Sequence, residues 1–582
     1  MRVVLLLLVA LAAGCIAPAA VDTASDPPVA GVDADGFAPA VFGDGFVFQT
    51  LDAVVDATLT MHAEVYLPDA SKALAGAPEK VPTILVLSPY FGAGQGGEAP
   101  GHPVYKWLVE RLVPRGYAVA LGDTAGMGGS SGCWDFMGPD EVRGAAALVE
   151  AIARQPWSDG SVGMIGKSYD GMTQVMAASR NPEALKTIVP VAPLTHAYAG
   201  LFQNGIHYGG GWHLTTTAYH QISLDPPVGA EERYPGYATH AALTPTCAGQ
   251  NTVLGNDPTG SYNAYFAERD FRPSAKDVKA SVFYVEGFLD AAVKPDNLMG
   301  WWTDLPGPKK AWLGQWGHDY PNATFAGRED LYVTLHRWFD HELKGIDNGI
   351  LDEPVVDVQD SLGRWRHESV WPPADATPLV LAPSADGRLG EGAGEGSATI
   401  GGPEATLGVL QEARAGAAEF EGEPLAAPLH VSGVARVETT VASDRPGGHL
   451  VARLFDANGT TLRQIAQGAI NLQLAGGLAS PQPLTPGAPV QVAFDLYPAD
   501  YVVEAGHSLV LRLQTNDEAM WYDPDPWAAT LTVALDKTTV TLPTIERAGS
   551  EVFLVACGIR ISEQVPSCFE EGRIDLDRED VA

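Results

Sequence analysis

The stretch that most constrains this chain is residues 163–171, Gly-Met-Ile-Gly-Lys-Ser-Tyr-Asp-Gly. An apolar run ends in a glycine-bounded turn that contains Ser168, and a segment of helical character, residues 172–179, follows directly. Strand, tight turn and helix in this order form the setting in which a serine hydroxyl is held exposed on a sharp bend. The strict Gly-x-Ser-x-Gly spacing is not met, because Asp170 occupies the place of the second glycine and Gly171 comes one residue later. The alternative is a serine in an ordinary loop.

Length and charge restrict the classes of protein that the chain can belong to. At 582 residues it is too long for one hydrophobic core, and length suggests roughly three or four domains' worth of material. Hydrophobic residues make up 46% and charged residues 18%, as in a folded globular protein. The formal net charge is −35. A field of that sign repels nucleic acid and anionic membrane, so we expect neither as a partner.

The N-terminus has the order of an export signal. Arg2 is followed by an apolar run, residues 3–13, and then by Gly14 and Cys15. The run is too short to span a bilayer, and the sequence predicts a signal peptide at residues 1–15. Residues 11–15 also resemble a bacterial lipoprotein box, which predicts lipidation at Cys15, with plain secretion as the alternative. Membrane contact would then occur only through the lipid. Residues 16–40 contain no Lys or Arg and are predicted to form a flexible tether.

Four further cysteines remain: Cys133, Cys247, Cys557 and Cys568. An even number in an exported chain favours disulfides. Cys557 with Cys568 would close a short loop, which leaves Cys133 with Cys247. Four buried free thiols are the alternative.

The order of patterns along the chain predicts an α/β domain over residues 41–350. Residues 44–68 alternate apolar and polar, as in an antiparallel hairpin at a sheet edge. Residues 83–87 and 117–121 are continuous apolar runs, typical of strands covered on both faces, and helical segments alternate with them. Residues 196–279, rich in His, Tyr, Trp, Gly and Pro, interrupt this alternation and are predicted to form a cap over the strand ends.

Beyond residue 353 helical periodicity fades, and short strand-like runs alternate with Gly and Pro turns up to about residue 575. Strands at this spacing predict an all-β sandwich or jelly roll. We find no fixed-period repeat and no metal-ligand cluster. The glycine-rich turn at 126–129 lacks the lysine of a phosphate loop. No cofactor or metal is therefore expected.

A serine hydroxyl needs a histidine base that is oriented by a carboxylate. On a sheet of this kind those partners follow the serine in the order Asp then His, each on a loop after a strand. Asp290 follows the predicted strand at 282–285, and His318 follows the predicted strand at 311–313. Weaker candidates for the carboxylate are Asp296, Asp304 and Asp319. The histidines of the cap are expected to line the pocket or lie on the surface; they are His196, His207, His213 and His220.

A tetrahedral oxyanion requires two hydrogen-bond donors. The backbone N–H of Tyr169, directly after the serine, is the expected first donor. The second must come from the loop after the early strand, where no His-Gly-Gly run is present and the phenolic hydroxyl of Tyr90 could serve.

At these positions the chain resembles the α/β-hydrolase family of Xaa-Pro dipeptidyl-peptidases, cocaine esterase (the CocE/NonD type) and α-amino ester hydrolases. Residues 157–163, Trp-Ser-Asp-Gly-Ser-Val-Gly, lead into the serine turn, and its displaced glycine is that family's pattern. Residues 338–349 form a long, specific match at the end of the catalytic domain, and residues 428–433 open a similar β-domain. The resemblance implies a doubly wound sheet with a helical cap and a C-terminal jelly roll. It implies Ser168 as nucleophile, Asp290 as orienting carboxylate, His318 as base and Tyr90 as oxyanion donor.

Within that family, the Gly-Lys-Ser-Tyr turn and residues 290–295 look more like the Xaa-Pro peptidases than like cocaine esterase. The sequence thus predicts an exported serine hydrolase that cleaves short peptides, after proline, through an acyl-enzyme. A carboxylic-ester or acyl-amide hydrolase on the same triad is the first alternative, and an inactive surface binding protein is the second.

Asp170 carries two interpretations. A carboxylate two residues after the nucleophile could contact the ammonium group of a peptide substrate. It could instead cap the helix that follows, a position that Asp suits.

Overall fold

The computed structural model of the chain describes residues 37–91, 102–208, 218–224, 235–255, 257–322, 328, 330–401, 416–459, 461–517, 525–547 and 552–553. The predictions for Cys15, the tether up to residue 36, Cys557 and Cys568 lie outside these residues.

The strands are numbered in chain order. The first twelve are β1 Val47–Val54, β2 Thr60–Leu67, β3 Val81–Ser88, β4 Ala118–Asp123, β5 Ser158–Lys167, β6 Leu185–Val191, β7 Phe202–Gln203, β8 Ile206–His207, β9 Ser281–Gly287, β10 Lys309–Gly314, β11 Val356–Gln359 and β12 Trp365–Glu368. The others are β13 Thr377–Pro383, β14 Leu389–Gly390, β15 Ser397–Gly401, β16 Ala418–Glu421, β17 Leu429–Ser443, β18 His449–Asn458, β19 Thr461–Asn471, β20 Pro489–Val503, β21 Ser508–Gln514, β22 Thr530–Ile545 and β23 Val552–Phe553.

The α-helices of the described residues are α1 Pro103–Trp107, α2 Pro139–Ala153, α3 Tyr169–Ser179, α4 Ala197–Leu201, α5 Tyr219–Leu224, α6 Pro235–Gly255, α7 Ala264–Glu268 and α8 Leu331–Lys344. Helix α1 continues as a π-helical turn, Leu108–Leu112. Short 3₁₀ segments lie at Ala70–Lys72, Val113–Arg115, Arg272–Asp277, Pro295–Leu298, Trp302–Asp304, Ile350–Asp352 and Leu472–Leu474.

The catalytic sheet has the spatial order β1-β2-β4-β3-β5-β6-β9-β10-β11-β12-β23 among the described residues. Its central strands, from β4 to β11, are parallel, and the predicted antiparallel hairpin β1–β2 lies at one edge. Strand order reverses at β3, so loops after neighbouring strands open toward one crevice at the carboxyl ends. The predicted doubly wound α/β-hydrolase sheet is confirmed.

Both faces of this sheet are covered, as the continuous apolar runs predict. On β3, Leu85 and Leu87 pack into one core together with α2 and α3. Val86, which points the other way because strand side chains alternate, packs into a second core with α1 and α8. The sheet is thereby clamped between two layers of helices, which fixes the ends of its strands.

The cap between β6 and β9 is more mixed than the predicted helical insertion. Helices α4–α7 form most of its described part, but strands β7 and β8 make a tight hairpin between α4 and α5. The hairpin turns at Asn204 and Gly205, both at positive φ, 43° and 87°.

The C-terminal domain is a sandwich of two antiparallel sheets around one apolar core, as predicted. The predicted start of this domain, residue 353, precedes two strands, β11 and β12, that pair outside the sandwich. Strand β11 pairs in parallel with β10, and β12 pairs with β11, so both strands extend the catalytic sheet. The sandwich begins at β13. The sequence pattern of a short alternating strand does not indicate which sheet it joins. That depends on the strand with which it pairs in the fold.

A buried ion pair joins the two domains. Arg366 on β12 donates to the Asp500 carboxylate on β20 at 2.6 Å, and Asp500 is fully buried. Burial alone would raise the pKa of Asp500, but hydrogen bonds from Arg366 and His430 hold it well below its usual range. Replacing only one partner of such a pair leaves a buried charge without a counter-charge, which is strongly destabilising.

No helix within the described ranges is long and apolar enough to cross a membrane.

Candidate active site

Ser168 lies between the end of β5 and the first residue of α3, with φ 63° and ψ −124°. A side chain in this region of backbone space is strained by about 1–3 kcal/mol, and such strain recurs at functional sites. Two glycines make the turn possible. A Cβ on Gly166 would lie 2.4 Å from the Asp170 Cβ, and one on Gly171 would lie 2.9 Å from the Val191 carbonyl oxygen. The displaced glycine is thus required where α3 crosses the end of β6.

Asp290 and His318 are brought together from two loops. Asp290 follows β9 and His318 follows β10, and the His318 Nδ1 lies 2.7 Å from the Asp290 Oδ2. The other oxygen, Oδ1, accepts hydrogen bonds from the N–H groups of Ala292 and Val293, each at 2.8 Å. Because the carboxylate engages Nδ1, the tautomer with its proton there leaves Nε2 available as a base.

The nucleophile turn is tied to the histidine loop through its neighbour Lys167. The Lys167 ammonium donates to the His318 backbone carbonyl at 3.0 Å and lies 3.3 Å from the Asp319 carboxylate. The loop that bears the predicted base is thereby held beside the end of β5, where Ser168 begins the helix.

Tyr90, the predicted second oxyanion donor, lies in the loop after β3. Its side chain is 45% exposed overall, but its hydroxyl lies 2.6 Å from the buried Tyr219 hydroxyl and within hydrogen-bonding reach of Ser168. Removal of the hydroxyl from water, reinforced by the Asp170 carboxylate, raises the pKa of Tyr90 to about 12. The phenol therefore keeps its proton at neutral pH and can donate it in a hydrogen bond.

Tyr169 is the predicted first oxyanion donor through its backbone N–H, and its side chain has a structural role. Its N–H is at the first turn of α3, where helix N–H groups have no intrahelical acceptor. Its hydroxyl donates to both oxygens of the buried Glu141, at 2.9 and 2.8 Å. The side chain thus anchors α3 to α2.

The structure places Asp170 away from either predicted role. Its side chain is 2% exposed and accepts a hydrogen bond from the Tyr105 hydroxyl, inside the protein. A substrate ammonium would have to displace that buried contact, so the predicted amine contact is not supported. The cap interpretation is also wrong, because Ser168 occupies the N-cap and Asp170 lies within the first turn of α3. A carboxylate there interacts favourably with the helix dipole.

Three buried carboxyl groups belong to elements that carry the candidate site: Glu141 on α2, Asp170 on α3 and Glu286 on β9. Burial raises the pKa of Asp170 to about 7. Burial, reinforced by the neighbouring Asp135 carboxylate, raises the pKa of Glu141 well above its ordinary value. Burial, reinforced by the Asp290 carboxylate, does the same to the pKa of Glu286. Burial thus disfavours the charged form of both glutamates.

The other sequence candidates lie elsewhere. Asp319 pairs with Lys167, and Asp296 and Asp304 lie in short 3₁₀ segments that follow Asp290. In the cap, His196 and His220 are buried, and His220 packs edge-on against Trp134 at 4.8 Å between ring centroids. His207 belongs to the hairpin strand β8. His213 lies outside the described residues.

Cys133 and Cys247 form the disulfide that the sequence predicts as one possibility, with their Cα atoms 5.7 Å apart. Cys247 is on α6 of the cap and Cys133 is in the loop after β4. The next residue, Trp134, stacks on Tyr219 at 5.0 Å. The disulfide thus links helix α6 of the cap to the loop after β4, next to the Tyr90–Tyr219 pair.

Sequence reasoning missed Tyr219, Tyr105 and the contacts of Lys167. Lys167 lay within the Gly-Lys-Ser-Tyr turn, so its position was visible but its acceptor was not. Tyr219 and Tyr105 stand in segments without a distinguishing pattern. Within the described ranges, no group of three or more His, Cys, Asp or Glu side chains is arranged to hold a metal ion.

Comparison with known proteins gives matches over both domains. Residues 56–320 match the X-Pro dipeptidyl-peptidase (S15 family) domain, and residues 348–551 match the X-Pro dipeptidyl-peptidase C-terminal non-catalytic domain. The chain is 30% identical over 562 residues to the "Putative Xaa-Pro dipeptidyl-peptidase" of Streptomyces avermitilis, covering 82% of this chain and 80% of that protein.

Two solved structures share the fold. An α-amino acid ester hydrolase has a TM-score of 0.69 at 19% identity, covering 92% of this chain and 100% of its own. A CocE/NonD family hydrolase from Staphylococcus aureus has a TM-score of 0.66 at 16% identity, covering 86% and 93%. Together with the sequence matches over both domains, this likeness leads to one assignment: the chain belongs to the X-Pro dipeptidyl-peptidase (S15) family of serine hydrolases.

Proposed function

We propose that this hydrolase removes dipeptides from short peptides, with proline at the second position, through an acyl-enzyme on Ser168. The observation that carries the proposal is the 2.7 Å contact between His318 Nδ1 and Asp290 Oδ2, in a loop tied by Lys167 to the strained serine turn. The specificity for proline rests on family membership and on the name that the Streptomyces avermitilis relative bears.

The geometry supports the following sequence of steps. His318 takes the proton of the Ser168 hydroxyl as the oxygen attacks the scissile carbonyl, and Asp290 stabilises the imidazolium that forms. The Tyr90 hydroxyl and the Tyr169 N–H donate to the oxyanion. His318 then gives its proton to the leaving amine, and water, activated by the same histidine, releases the acyl group.

Labelling with a fluorophosphonate tests the enzyme assignment. We expect wild type to be labelled and Ser168→Ala to remain unlabelled. Ser179→Ala is the matched control, since Ser179 ends the same helix and donates to the Met176 carbonyl at 2.7 Å; it should label like wild type. An unlabelled wild type would favour a surface binding protein and overturn the proposal.

Two reporter substrates then decide the bond that is cleaved. An Xaa-Pro peptidase hydrolyses Gly-Pro-anilide with a kcat/KM well above that for Ala-Ala-anilide, because the enzyme recognises the proline ring in the pocket that binds the acyl part of the substrate. A labelled enzyme that hydrolyses nitrophenyl butyrate but neither anilide would be an esterase on the same triad, and would refute the peptidase part.

We also propose that the chain is exported and anchored through a lipid on Cys15. The supports are the charged, apolar and small-residue order of residues 1–15, and the Cys133–Cys247 disulfide, which suits an oxidising compartment. In a bacterial host, wild type should incorporate an azido-fatty acid and sediment with membranes, whereas Cys15→Ser should do neither. Equal labelling of the two would contradict the anchor, and unlabelled wild type in the medium would indicate plain secretion.

A further inference from the structure

The β7–β8 hairpin of the cap is attached to the C-terminal domain. The Asn204 side-chain amide donates to the Ala469 carbonyl at 2.9 Å, and the Asn471 N–H donates to the Asn204 carbonyl at 3.0 Å. Ile206 of β8 and Tyr208, the residue after the hairpin, share a small apolar cluster with Val451 and Ala469 of the sandwich. The hairpin position is therefore set by β18 and β19, not by the cap alone.

The same hairpin holds a buried lysine of the catalytic domain. The Lys294 ammonium donates to the Phe202 carbonyl at 3.0 Å and lies 4.6 Å from the centre of the Tyr208 ring, with the residue 1% exposed. Burial lowers the pKa of Lys294 to about 8, which the nearby Asp296 partly offsets. Because a buried ammonium without a hydrogen-bond acceptor is energetically costly, Lys294 is held beside the Phe202 carbonyl and the Tyr208 ring.

Lys294 ends the turn that orients the catalytic carboxylate. At the start of that turn the Tyr208 hydroxyl donates to the Ala291 carbonyl. The two residues between them, Ala292 and Val293, supply the N–H groups that hold Asp290 Oδ1. The hairpin thus grips the turn on both sides of the donors that aim Asp290 at His318.

We propose that Lys294 is a positioning residue, and that through it and the hairpin the C-terminal domain keeps Asp290 aligned with His318. The inference rests on the proposed role of the Asp290–His318 dyad. It assigns the sandwich, whose family description is non-catalytic, a share in the alignment of the active site. It also gives a reason for the Val-Lys-Pro run after Asp290, which the chemistry of the triad leaves unexplained.

The first test is Lys294→Met, which removes the ammonium and keeps the length of the side chain. We expect kcat, and the second-order rate of fluorophosphonate labelling, to fall about tenfold or more, the change that about 1.4 kcal/mol in the barrier produces, while KM stays within about twofold.

Lys309→Met is the matched control. Lys309 also donates to backbone carbonyls, of Trp302 at 2.9 Å and Leu305 at 3.1 Å, and lies 4.8 Å from an aromatic ring centre. It starts β10, at the end of the strand opposite His318. It should lose stability without losing kcat. Equal kcat for Lys294→Met and wild type would overturn the proposal, and so would equal losses in the two lysine variants.

Two further variants keep the test decisive if Lys294→Met does not fold. Tyr208→Phe removes the hydroxyl that binds the Ala291 carbonyl. Asn204→Gly removes the amide that binds the sandwich and tolerates the positive φ of this position. Each should lower kcat, and the labelling rate, by a smaller factor at unchanged KM. Unchanged kcat in both would refute the coupling. An unlabelled wild type would instead refute the proposed function itself, so the two failures are distinguishable.

Discussion

The ammonium nitrogen of Lys167 lies 3.0 Å from the backbone carbonyl oxygen of His318 and donates a hydrogen bond to it. The residue before the nucleophile thus fixes the main chain of the residue predicted as base. This bond joins the end of β5 to the loop after β10, although β6 and β9 lie between these strands in the sheet. Because the contact is to the backbone, it constrains the loop without removing a side-chain atom from catalysis.

Lys167→Met should therefore lower kcat about tenfold, corresponding to about 1.4 kcal/mol of lost alignment, with KM little changed. Asp319→Asn is the control: it removes the carboxylate 3.3 Å from the ammonium but leaves the bond to the His318 carbonyl. Since the Asp319 side chain is 44% exposed, we expect almost no effect. Steady-state kinetics would contradict this account if the two variants behaved alike.

Tyr90→Phe should lower kcat by about 10²- to 10³-fold, the loss that follows removal of one oxyanion donor. Tyr219→Phe removes the hydroxyl 2.6 Å from Tyr90 but not the donor itself, so its loss should be smaller. The measurement is kcat on the better reporter substrate, with fluorophosphonate labelling to confirm an intact nucleophile. A Tyr90→Phe enzyme with wild-type kcat would assign the second donor to another group.

Asp170→Asn should change how stability depends on pH. The folded-state pKa of Asp170, about 7, lies above the ordinary 3.8, because burial favours the protonated acid. Its contribution to stability is thus fully present below pH 3.8 and is lost as pH rises toward 7. The variant has no such loss, so its free energy of unfolding relative to wild type should rise across this window by a few kcal/mol, about 1.4 for each pH unit.

Urea unfolding at several pH values checks the expected rise, and parallel profiles for the two proteins would show that Asp170 does not titrate in this range. The same variant tests the amine-contact hypothesis. Since Asp170 is buried against Tyr105, KM for Gly-Pro-anilide and for nitrophenyl butyrate should change by the same factor.

Removing the disulfide with Cys133→Ser and Cys247→Ser should destabilise the catalytic domain. The bond closes a loop with a sequence separation of 114 residues, for which the loss of chain entropy in the unfolded state is about 4–5 kcal/mol. The measurement is the urea midpoint with and without reductant. Wild type should lose more stability in reductant than the double variant does, because any remaining response of the double variant can come only from the predicted Cys557–Cys568 bond. Equal shifts of the midpoint in the two proteins would contradict the prediction.

The sequence predicts best what depends on order along the chain. Ser168, Asp290 and His318 each follow a recognisable strand, and parallel strands bring their carboxyl ends to one edge of the sheet, so their proximity could be inferred. The sequence does not indicate which backbone carbonyl faces a lysine, so the hydrogen-bond acceptors of Lys167 and Lys294 could not be predicted. The interpretation of Asp170 failed for a related reason. Spacing put it beside the nucleophile, whereas burial against Tyr105 is a property of the packed fold.

The pairing of β23 with β12 has a consequence for how the protein is made. Residues 365–366 take their second strand partner from residues 552–553, on the far side of the entire sandwich in the chain. During synthesis that side of the catalytic sheet has no second partner until the sandwich and residues 552–553 have emerged. An unpaired edge strand can pair with another molecule. A chain truncated within the C-terminal domain would contain Ser168, Asp290 and His318 but would expose β12 as an unpaired edge strand that can associate with other molecules. Completion of the catalytic sheet is thus linked to synthesis of the entire sandwich.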